Sequence, residues 1–200
     1  MRLQNWIKHR LLYAVFSFFL LNPAIAADEK GTAEEFLKSN LDAVFTVLQK
    51  KDLSQQAKDS EVAGIVTPMF DFQLMAKLSL GRQYWPDLSK EKRERFTELF
   101  VNRLRQSYLS KITAYTDETV IYEPPVKVDG KVHIPTQLVS KGNKISMLYK
   151  CYQSSGQWRI YDLEIQGVSI IRSYQAQFKE ILRNGTFDDL LLKMEKPAND

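Results

Sequence analysis

The hydrophobic positions of residues 32–50 recur every three or four residues, which is the spacing of one face of an amphipathic helix. These positions are Phe36, Leu37, Leu41, Val44, Phe45 and Leu48. The pattern predicts one helix. The segment that follows is less regular, because Gly64 and Pro68 interrupt it. It predicts two or more short helices, the last over residues 72–80 and ended by Gly81.

A longer helix is predicted after Pro86 and Ser89, because hydrophobic residues recur there at every fourth position. They are Phe96, Phe100, Leu104, Tyr108 and Ile112. Beyond Gly167, Ser169 is placed to cap the N-terminus of another helix. The apolar stripe of that helix comprises Ile171, Tyr174, Phe178 and Leu182. A short helix over residues 187–194 completes the pattern.

Between these helices the hydrophobic period changes to two, as in β-strands with one apolar face. The strand-like segments are residues 120–128, 132–139, 145–152 and 158–165. Turn sequences separate them, namely Asp129-Gly130, Lys141-Gly142-Asn143 and Ser154-Ser155-Gly156. Such spacing predicts an antiparallel four-stranded meander. The fold is therefore predicted to be α+β, a curled four-stranded antiparallel sheet packed by several helices, like the NTF2 or cystatin-like roll, enclosing an apolar pocket.

Residues 1–26 differ in composition from the rest of the chain. Basic residues lie near the start of this segment, and an apolar run covers residues 11–21. Ala24 and Ala26 follow the run, and the segment contains no Asp or Glu. This arrangement is typical of a secretory signal peptide cleaved between Ala26 and Ala27. An uncleaved membrane anchor is the alternative, but a run of about eleven apolar residues is short for a bilayer span.

The charge of the chain changes once that segment is set aside. The formal net charge of +4 includes three basic residues within residues 1–26, and without them 25 basic residues face 24 acidic ones. No nucleic-acid partner is therefore expected. Residues 27–200 are expected to form one domain outside the cytoplasm. Cys151 is the only cysteine, so no intrachain disulfide can form and the core must stabilise the domain unaided.

Residue counts also exclude several kinds of site. His133 is the only histidine after residue 26, and it lies on a predicted strand, facing opposite to Val132 and Ile134. A zinc site of His and Cys ligands would have only His133 and Cys151 to use, and we expect His133 to face solvent rather than serve a catalytic triad. The chain contains no Walker loop, G-x-G-x-x-G or G-x-S-x-G motif, which argues against nucleotide enzymes and familiar hydrolases.

Several short motifs, in their order and spacing, resemble those of the MlaC family of periplasmic phospholipid-binding proteins, also called the toluene-tolerance auxiliary family. They are Leu80-Gly81-x-x-Tyr84-Trp85, Phe96 with Phe100 and Tyr108, Trp158-x-x-Tyr161-Asp162, Gly167-Val168-Ser169, and Tyr174 with Phe178 before Gly185. The resemblance covers nearly all of residues 27–200. One departure is Ser173-Tyr174-Gln175, where Asn-Tyr-Arg is common in the family, so a basic contact at position 175 is absent.

The resemblance implies a periplasmic carrier of glycerophospholipid that contributes to outer-membrane lipid asymmetry. Its partners would be an outer-membrane lipoprotein complex and an inner-membrane ABC transporter whose MCE-domain subunit receives the lipid. It implies no enzymatic activity, no cofactor, no ATP and no metal in the carrier itself.

Aromatic and aliphatic residues expected on the apolar side of the sheet are the candidates for contact with lipid tails. They are Leu74, Leu78, Tyr84, Trp85, Phe96, Phe100, Leu104, Tyr108, Ile134, Leu138, Met147, Tyr149, Tyr161, Leu163, Val168, Ile171, Tyr174 and Phe178. Each of them is equally compatible with an ordinary core position, because periodicity does not separate a residue that lines a cavity from one that fills it.

Polar candidates concern the lipid headgroup or a partner surface. Six cationic residues crowd the long helix, at Lys90, Lys92, Arg93, Arg95, Arg103 and Arg105, and of these Lys92, Arg93, Arg95 and Arg103 are the candidates for binding a phosphate or an acidic partner. A solvated helix face is the alternative. Ser169 is a further candidate, since anions are favoured near helix N-termini, although capping alone explains it.

Other functions remain open from sequence. One is a hopanoid-associated paralogue with a different apolar cargo. Another is a small NTF2-like enzyme acting on an apolar substrate, in which Asp162 would be a general base; a structural Asp is the alternative. A third is an adaptor with a filled core that docks through the basic helix.

Overall fold

The computed structural model describes residues 31–109 and 118–196, with the exception of the Leu109 side chain. The predicted signal peptide, its cleavage site at Ala26 and Ala27, and Ile112 lie outside the described residues. The helices of the described part are α1 Ala33–Leu48, α2 Gln55–Val66, α3 Phe72–Leu80, α4 Lys90–Leu104, α5 Ile170–Arg183 and α6 Phe187–Glu195. Short 3₁₀ turns at Thr67–Met69 and Trp85–Asp87 join them, and α4 continues as a π-helical turn at Arg105–Leu109.

Side chains at the N-caps fix where these helices begin. Thr32 caps α1 and forms a capping box with Glu35, and Ser89 accepts a hydrogen bond from the Lys92 N–H at the start of α4. The predicted cap at Ser169 is confirmed, because its hydroxyl accepts from the Arg172 N–H of α5. Gly81 ends α3 with a φ of 93°, which only glycine adopts readily.

The strands are β1 Thr119–Tyr122, β2 Val126–Val128, β3 Lys131–Ser140, β4 Asn143–Ser154, β5 Gln157–Ile165 and β6 Val168–Ser169. They form one antiparallel sheet in the order β1-β3-β4-β5-β6, with β2 also paired to β3. The mixed class with a curled antiparallel sheet is confirmed, whereas the count of four strands is wrong.

Two local causes account for the additional strands. Pro124 and Pro125 lie within the predicted first strand, and proline cannot donate a ladder hydrogen bond, so that segment divides into β1 and β2 on either side of them. A tight turn at Gln166 and Gly167 then lets the two residues of β6 pair back onto β5.

The turns between the strands match their sequences. The central pairs Asp129-Gly130, Lys141-Gly142, Ser155-Gly156 and Gln166-Gly167 all have positive φ at both residues. This is the geometry of type I′ hairpins, whose twist matches that of the flanking strands. The three hairpin turns predicted from sequence are thus confirmed.

The main core lies where α3, α4, α5 and α6 pack together beside the sheet. Its centre is Phe96, which is fully buried and contacts the rings of Phe100, Phe178 and Phe187 with centroid distances of 5.4–6.4 Å. A separate, smaller core holds α1 against α2 through Val44, Val47, Leu48 and Val62. No helix within residues 31–109 and 118–196 is long and apolar enough to cross a membrane.

Candidate functional site

A cavity of about 420 Å³ lies between the α1–α3 segment and the inner face of the sheet. Its helical wall is formed by Leu41, Val44, Phe45 and Leu48 of α1, Ala63 and Val66 of α2, Thr67, Met69 and Phe70 of the following turn, and Phe72 and Met75 of α3. Its remaining wall is formed by Leu104, Arg105, Tyr108, Val120, Thr136, Leu138, Ile145, Met147, Tyr149, Leu163, Ile165 and Ile170. Nearly every lining side chain is apolar, so the cavity suits a hydrophobic ligand.

Strand register explains why these sheet residues share one face. Tyr149 of β4 lies opposite Leu163 of β5, and Met147 of β4 lies opposite both Thr136 of β3 and Ile165 of β5. Because side chains alternate along a strand, Ile145, Met147 and Tyr149 of β4 all point into the cavity.

The few polar groups of the cavity are neutral, apart from Arg105. Thr136 is almost fully buried, and the Tyr149 hydroxyl donates only to the Met147 sulfur, at 3.8 Å. Burial raises the pKa of Tyr149 far above its ordinary value, and burial likewise raises the pKa of Tyr108. Both phenols therefore stay protonated at physiological pH, and no carboxylate belongs to the described lining.

The structure places the predicted tail-contacting residues in two groups. Six of them line the cavity: Leu104, Tyr108, Leu138, Met147, Tyr149 and Leu163. Six others pack in the main core beside it: Trp85, Phe96, Phe100, Ile171, Tyr174 and Phe178. The long aromatic stripe of α4 and α5 thus faces other helices more than it faces the cavity.

The remaining candidates lie elsewhere. Ile134 is buried in the core, and Leu74, Leu78 and Tyr84 are half-buried on or just after α3. Two others lie apart from the cavity, since Val168 is 60% exposed and Tyr161 pairs with His133 on the opposite face of the sheet.

Sequence reasoning did not include the helical wall among its candidates. Leu41, Val44, Phe45 and Leu48 were recognised as the apolar stripe of one helix, which is the signal that would have identified them. Ala63 and Val66 of α2 gave no such signal, because that helix buries only Val62 and its apolar residues are not grouped on one side.

The candidate cations of α4 make contacts within the fold. Lys92 forms an ion pair with Asp188 of α6 at 2.7 Å, and Arg95 pairs with Glu98 and with Glu195 of α6 at 2.9 and 2.8 Å. These contacts bring α4 and α6 together across the surface.

The other two candidate arginines of α4 bind backbone carbonyls. Arg93 donates to the carbonyls of Trp85 and Pro86 and lies over the Trp85 ring. Arg103 donates to the carbonyls of Lys193 and Lys196 at the end of α6. None of the four candidate cations belongs to the cavity lining.

Asp162 and Ser169 lie in a buried polar network on the sheet face opposite the cavity. The Asp162 carboxylate accepts from Lys150 at 3.0 Å, from the Ser169 hydroxyl at 2.8 Å and from the Ile171 N–H at 3.3 Å. Lys150 also forms an ion pair with Glu164. Burial acts to lower the pKa of Lys150, but its bonds to Glu164 and Asp162 outweigh burial and raise it. Asp162 thus holds β4, β5 and the start of α5 together.

His133 faces outward, as predicted, but is half-buried against Tyr161, whose hydroxyl lies 3.1 Å from Nε2. Burial, together with the charge of Lys150, lowers the pKa of His133, which therefore stays neutral at physiological pH. Within the described part of the chain, no three His, Cys, Asp or Glu side chains are grouped so as to hold a metal ion.

The chain is similar to known phospholipid-transport proteins along most of its length. The binding protein MlaC of the intermembrane phospholipid transport system of Haemophilus influenzae is 21% identical over 208 residues, covering 99% of this chain and 95% of the relative. A toluene tolerance protein of Pseudomonas putida is 23% identical over 164 residues, covering 80% of this chain and 69% of the relative.

A solved structure shares the fold. The phospholipid-binding protein of Ralstonia solanacearum, determined in complex with a phospholipid, superposes with a TM-score of 0.75 at 22% identity, covering 82% of this chain and 96% of that one. The family model described as MlaC protein matches residues 38–196, which include the helical wall, the sheet and the helices that follow it. The chain therefore belongs to the MlaC family.

Proposed function

We propose that this protein is a periplasmic carrier that holds the acyl tails of a glycerophospholipid in the cavity and moves the lipid between outer-membrane and inner-membrane complexes. The observation that carries the proposal is the apolar cavity of about 420 Å³ beneath α1–α3. Membership of the MlaC family and the signal-like residues 1–26 support the cargo and the compartment.

The lining of the cavity meets one physical requirement of such a carrier, which is to keep acyl chains out of water. A diacyl lipid with about thirty methylenes would lose on the order of 24 kcal/mol if its tails met water, at about 0.8 kcal/mol per CH₂. The protein has to offer the tails an environment about as dry as a bilayer. A lining of Leu, Val, Ile, Met and Phe side chains does so.

The same lining favours release. Because the tails are equally dry in a membrane, tight contacts specific to one tail would retain the lipid on the protein. Three methionines, Met69, Met75 and Met147, lie in the lining, and their unbranched side chains adapt to tails of different shape. We therefore expect little selectivity among acyl chains.

The position of Asp162 does not favour the enzyme alternative. That hypothesis needs the carboxylate to face an apolar substrate, whereas Asp162 lies on the other face of the sheet with both oxygens hydrogen-bonded. The cavity likewise does not favour an adaptor with a filled core.

The proposal is tested by native mass spectrometry of the protein purified from the periplasm, followed by solvent extraction and lipid analysis. A stoichiometric glycerophospholipid that a second vesicle population can remove would support the carrier. A hopanoid in its place would assign a different cargo. A protein that is isolated empty and takes up no lipid from vesicles would refute the proposal.

A further inference from the structure

We infer that Arg105, with the hydroxyl of Thr67 beside it, binds the phosphate of the lipid headgroup at the mouth of the cavity. The inference rests on the proposed function, because it concerns the ligand of the same cavity. It assigns a role to a residue outside the four cations of α4 that sequence reasoning singled out.

Charge distinguishes Arg105 from the rest of the cavity. It is the only charged side chain of the described lining, and it is exposed while its apolar neighbours Leu104 and Val66 are buried or half-buried. An arginine at the edge of an apolar cavity can keep its guanidinium in water while its methylenes contact the apolar wall. Arg105 therefore marks the end of the cavity at which a polar headgroup would lie.

The contacts of Arg105 leave its guanidinium available. Lys92 and Arg95 are paired with carboxylates of α6, and Arg93 and Arg103 donate to backbone carbonyls. In the described part of the chain Arg105 forms no ion pair. Its Nη2 lies 3.5 Å from the Thr67 hydroxyl, a distance at the limit of a hydrogen bond.

Local backbone geometry brings Arg105 to this position. The α-helix α4 ends at Leu104, and Arg105–Leu109 continues as a π-helical turn, a feature that is rare and is often found at functional sites. Both Arg105 and Tyr108 of this turn line the cavity. Thr67 lies at the end of α2 on the helical wall, so the two donors come from different segments and meet at the edge of the lining.

A phosphate suits these donors. A guanidinium offers parallel N–H groups that match two phosphate oxygens, and the Thr67 hydroxyl can donate to a third oxygen. With the tails in the cavity, the phosphate of a phospholipid would be held at its mouth. A diacylglycerol with the same tails would leave Arg105 without that partner.

The test compares uptake of two lipids that differ only in the headgroup. Delipidated protein is incubated with phosphatidylcholine vesicles that contain either palmitoyl-oleoyl phosphatidylglycerol or palmitoyl-oleoyl diacylglycerol, and bound lipid is quantified by native mass spectrometry. We expect Arg105→Gln to lower phosphatidylglycerol uptake about tenfold, the lower end of the contribution of a hydrogen bond to a charged group. Diacylglycerol uptake should not change.

Two further variants sharpen the comparison. Arg82→Gln removes an exposed arginine outside the cavity lining and should change neither uptake, which separates a local contact from a general effect of net charge. Thr67→Val should lower phosphatidylglycerol uptake less than Arg105→Gln does, because it removes a neutral donor.

The outcomes separate this inference from the proposed function. Equal uptake of phosphatidylglycerol by wild type and Arg105→Gln, or an equal loss in Arg82→Gln, would overturn the headgroup site while leaving the carrier intact. Inorganic phosphate that binds wild type but not Arg105→Gln, with equal phosphatidylglycerol uptake by both, would assign Arg105 to a free anion and overturn the lipid assignment. Uptake of no lipid by wild type, the phosphatidylcholine of the vesicles included, would overturn the proposed function and the headgroup site together.

Discussion

The Nζ atom of Lys150 lies 3.0 Å from a carboxylate oxygen of Asp162, on the sheet face that points away from the cavity. Their neighbours Tyr149 and Leu163 lie opposite each other on the other face and line the cavity. The same two strands thus supply a buried polar network on one side and an apolar wall on the other. Residues of the polar network can therefore be substituted without changing the residues that line the cavity.

Asp162→Asn should destabilise the protein by about 2–4 kcal/mol, because the variant leaves the buried Lys150 ammonium with a weaker set of partners. Glu164 still pairs with Lys150, which keeps the loss below that of a fully orphaned charge. Urea unfolding at pH 7 measures the difference. The folded variant should take up lipid as wild type does.

Asp188→Asn is the matched control for that change. It breaks the exposed ion pair with Lys92, so the free energy of unfolding should fall by less than about 1 kcal/mol. A loss in Asp162→Asn as small as in the control would contradict the structural role of Asp162. Normal stability combined with abolished turnover of an apolar substrate would favour the enzyme alternative.

Phe96→Ala should lower the free energy of unfolding much more than Met147→Ala. Phe96 is fully buried among four aromatic rings, so its truncation should cost about 3–5 kcal/mol of unfolding free energy. Met147 already borders a cavity, so its truncation should cost about 1 kcal/mol. Measurements of the free energy of unfolding and of lipid uptake on both variants would distinguish Phe96, a core residue, from Met147, a residue of the cavity lining. Equal stability costs would contradict the assignment.

Cys151 should react with thiol reagents only when the protein unfolds. It is fully buried in β4, and burial raises the pKa of its thiol to about 12. The unfolded thiol ionises near pH 8.5. The unfolded state therefore binds fewer protons above that pH, and this residue's contribution to stability is lost as the pH rises toward 12.

An Ellman assay at pH 8 tests this directly. Native protein should remain unlabelled over the time in which urea-unfolded protein reacts to one thiol per chain. Rapid labelling of the native protein would show that β4 opens or that Cys151 is exposed.

Gly64→Ala should stabilise the protein by about 0.5–1 kcal/mol, because glycine inside a helix costs conformational entropy. Gly64 lies within α2 and is exposed, and a Cβ there would meet no atom within 4 Å. Thermal unfolding of the variant measures the change. A lowered melting temperature would show that α2 needs the glycine.

Local patterns predicted most of the fold. Each of the three predicted hairpin turns contains a Gly that takes positive φ, and Ser169 was predicted as a cap from its place before an apolar stripe. The predicted number of strands was wrong because residues 120–128 were assigned to one strand that includes Pro124 and Pro125. Proline has no N–H to donate, so the ladder of hydrogen bonds is interrupted there.

The candidate site was predicted less completely than the fold. Periodicity showed that Phe96 and Met147 both face inward, but it carries no information on whether the space they face is filled. That depends on how far α1 and α2 stand from the sheet, a tertiary property. For the same reason, the sequence grouped Arg105 with the cations of the preceding helix, and the structure separates it from them by the π-helical turn and by its place in the cavity lining.

The central claim is that the lipid tails occupy the cavity beneath α2, and one pair of variants tests it most directly. Ala63→Trp fills the cavity from its helical wall, whereas Gly64→Trp places the same side chain on the exposed side of the same helix. Uptake of phosphatidylglycerol from vesicles, measured with both variants folded, should be abolished or strongly reduced in Ala63→Trp and unchanged in Gly64→Trp. Full uptake by a folded Ala63→Trp variant would contradict the account.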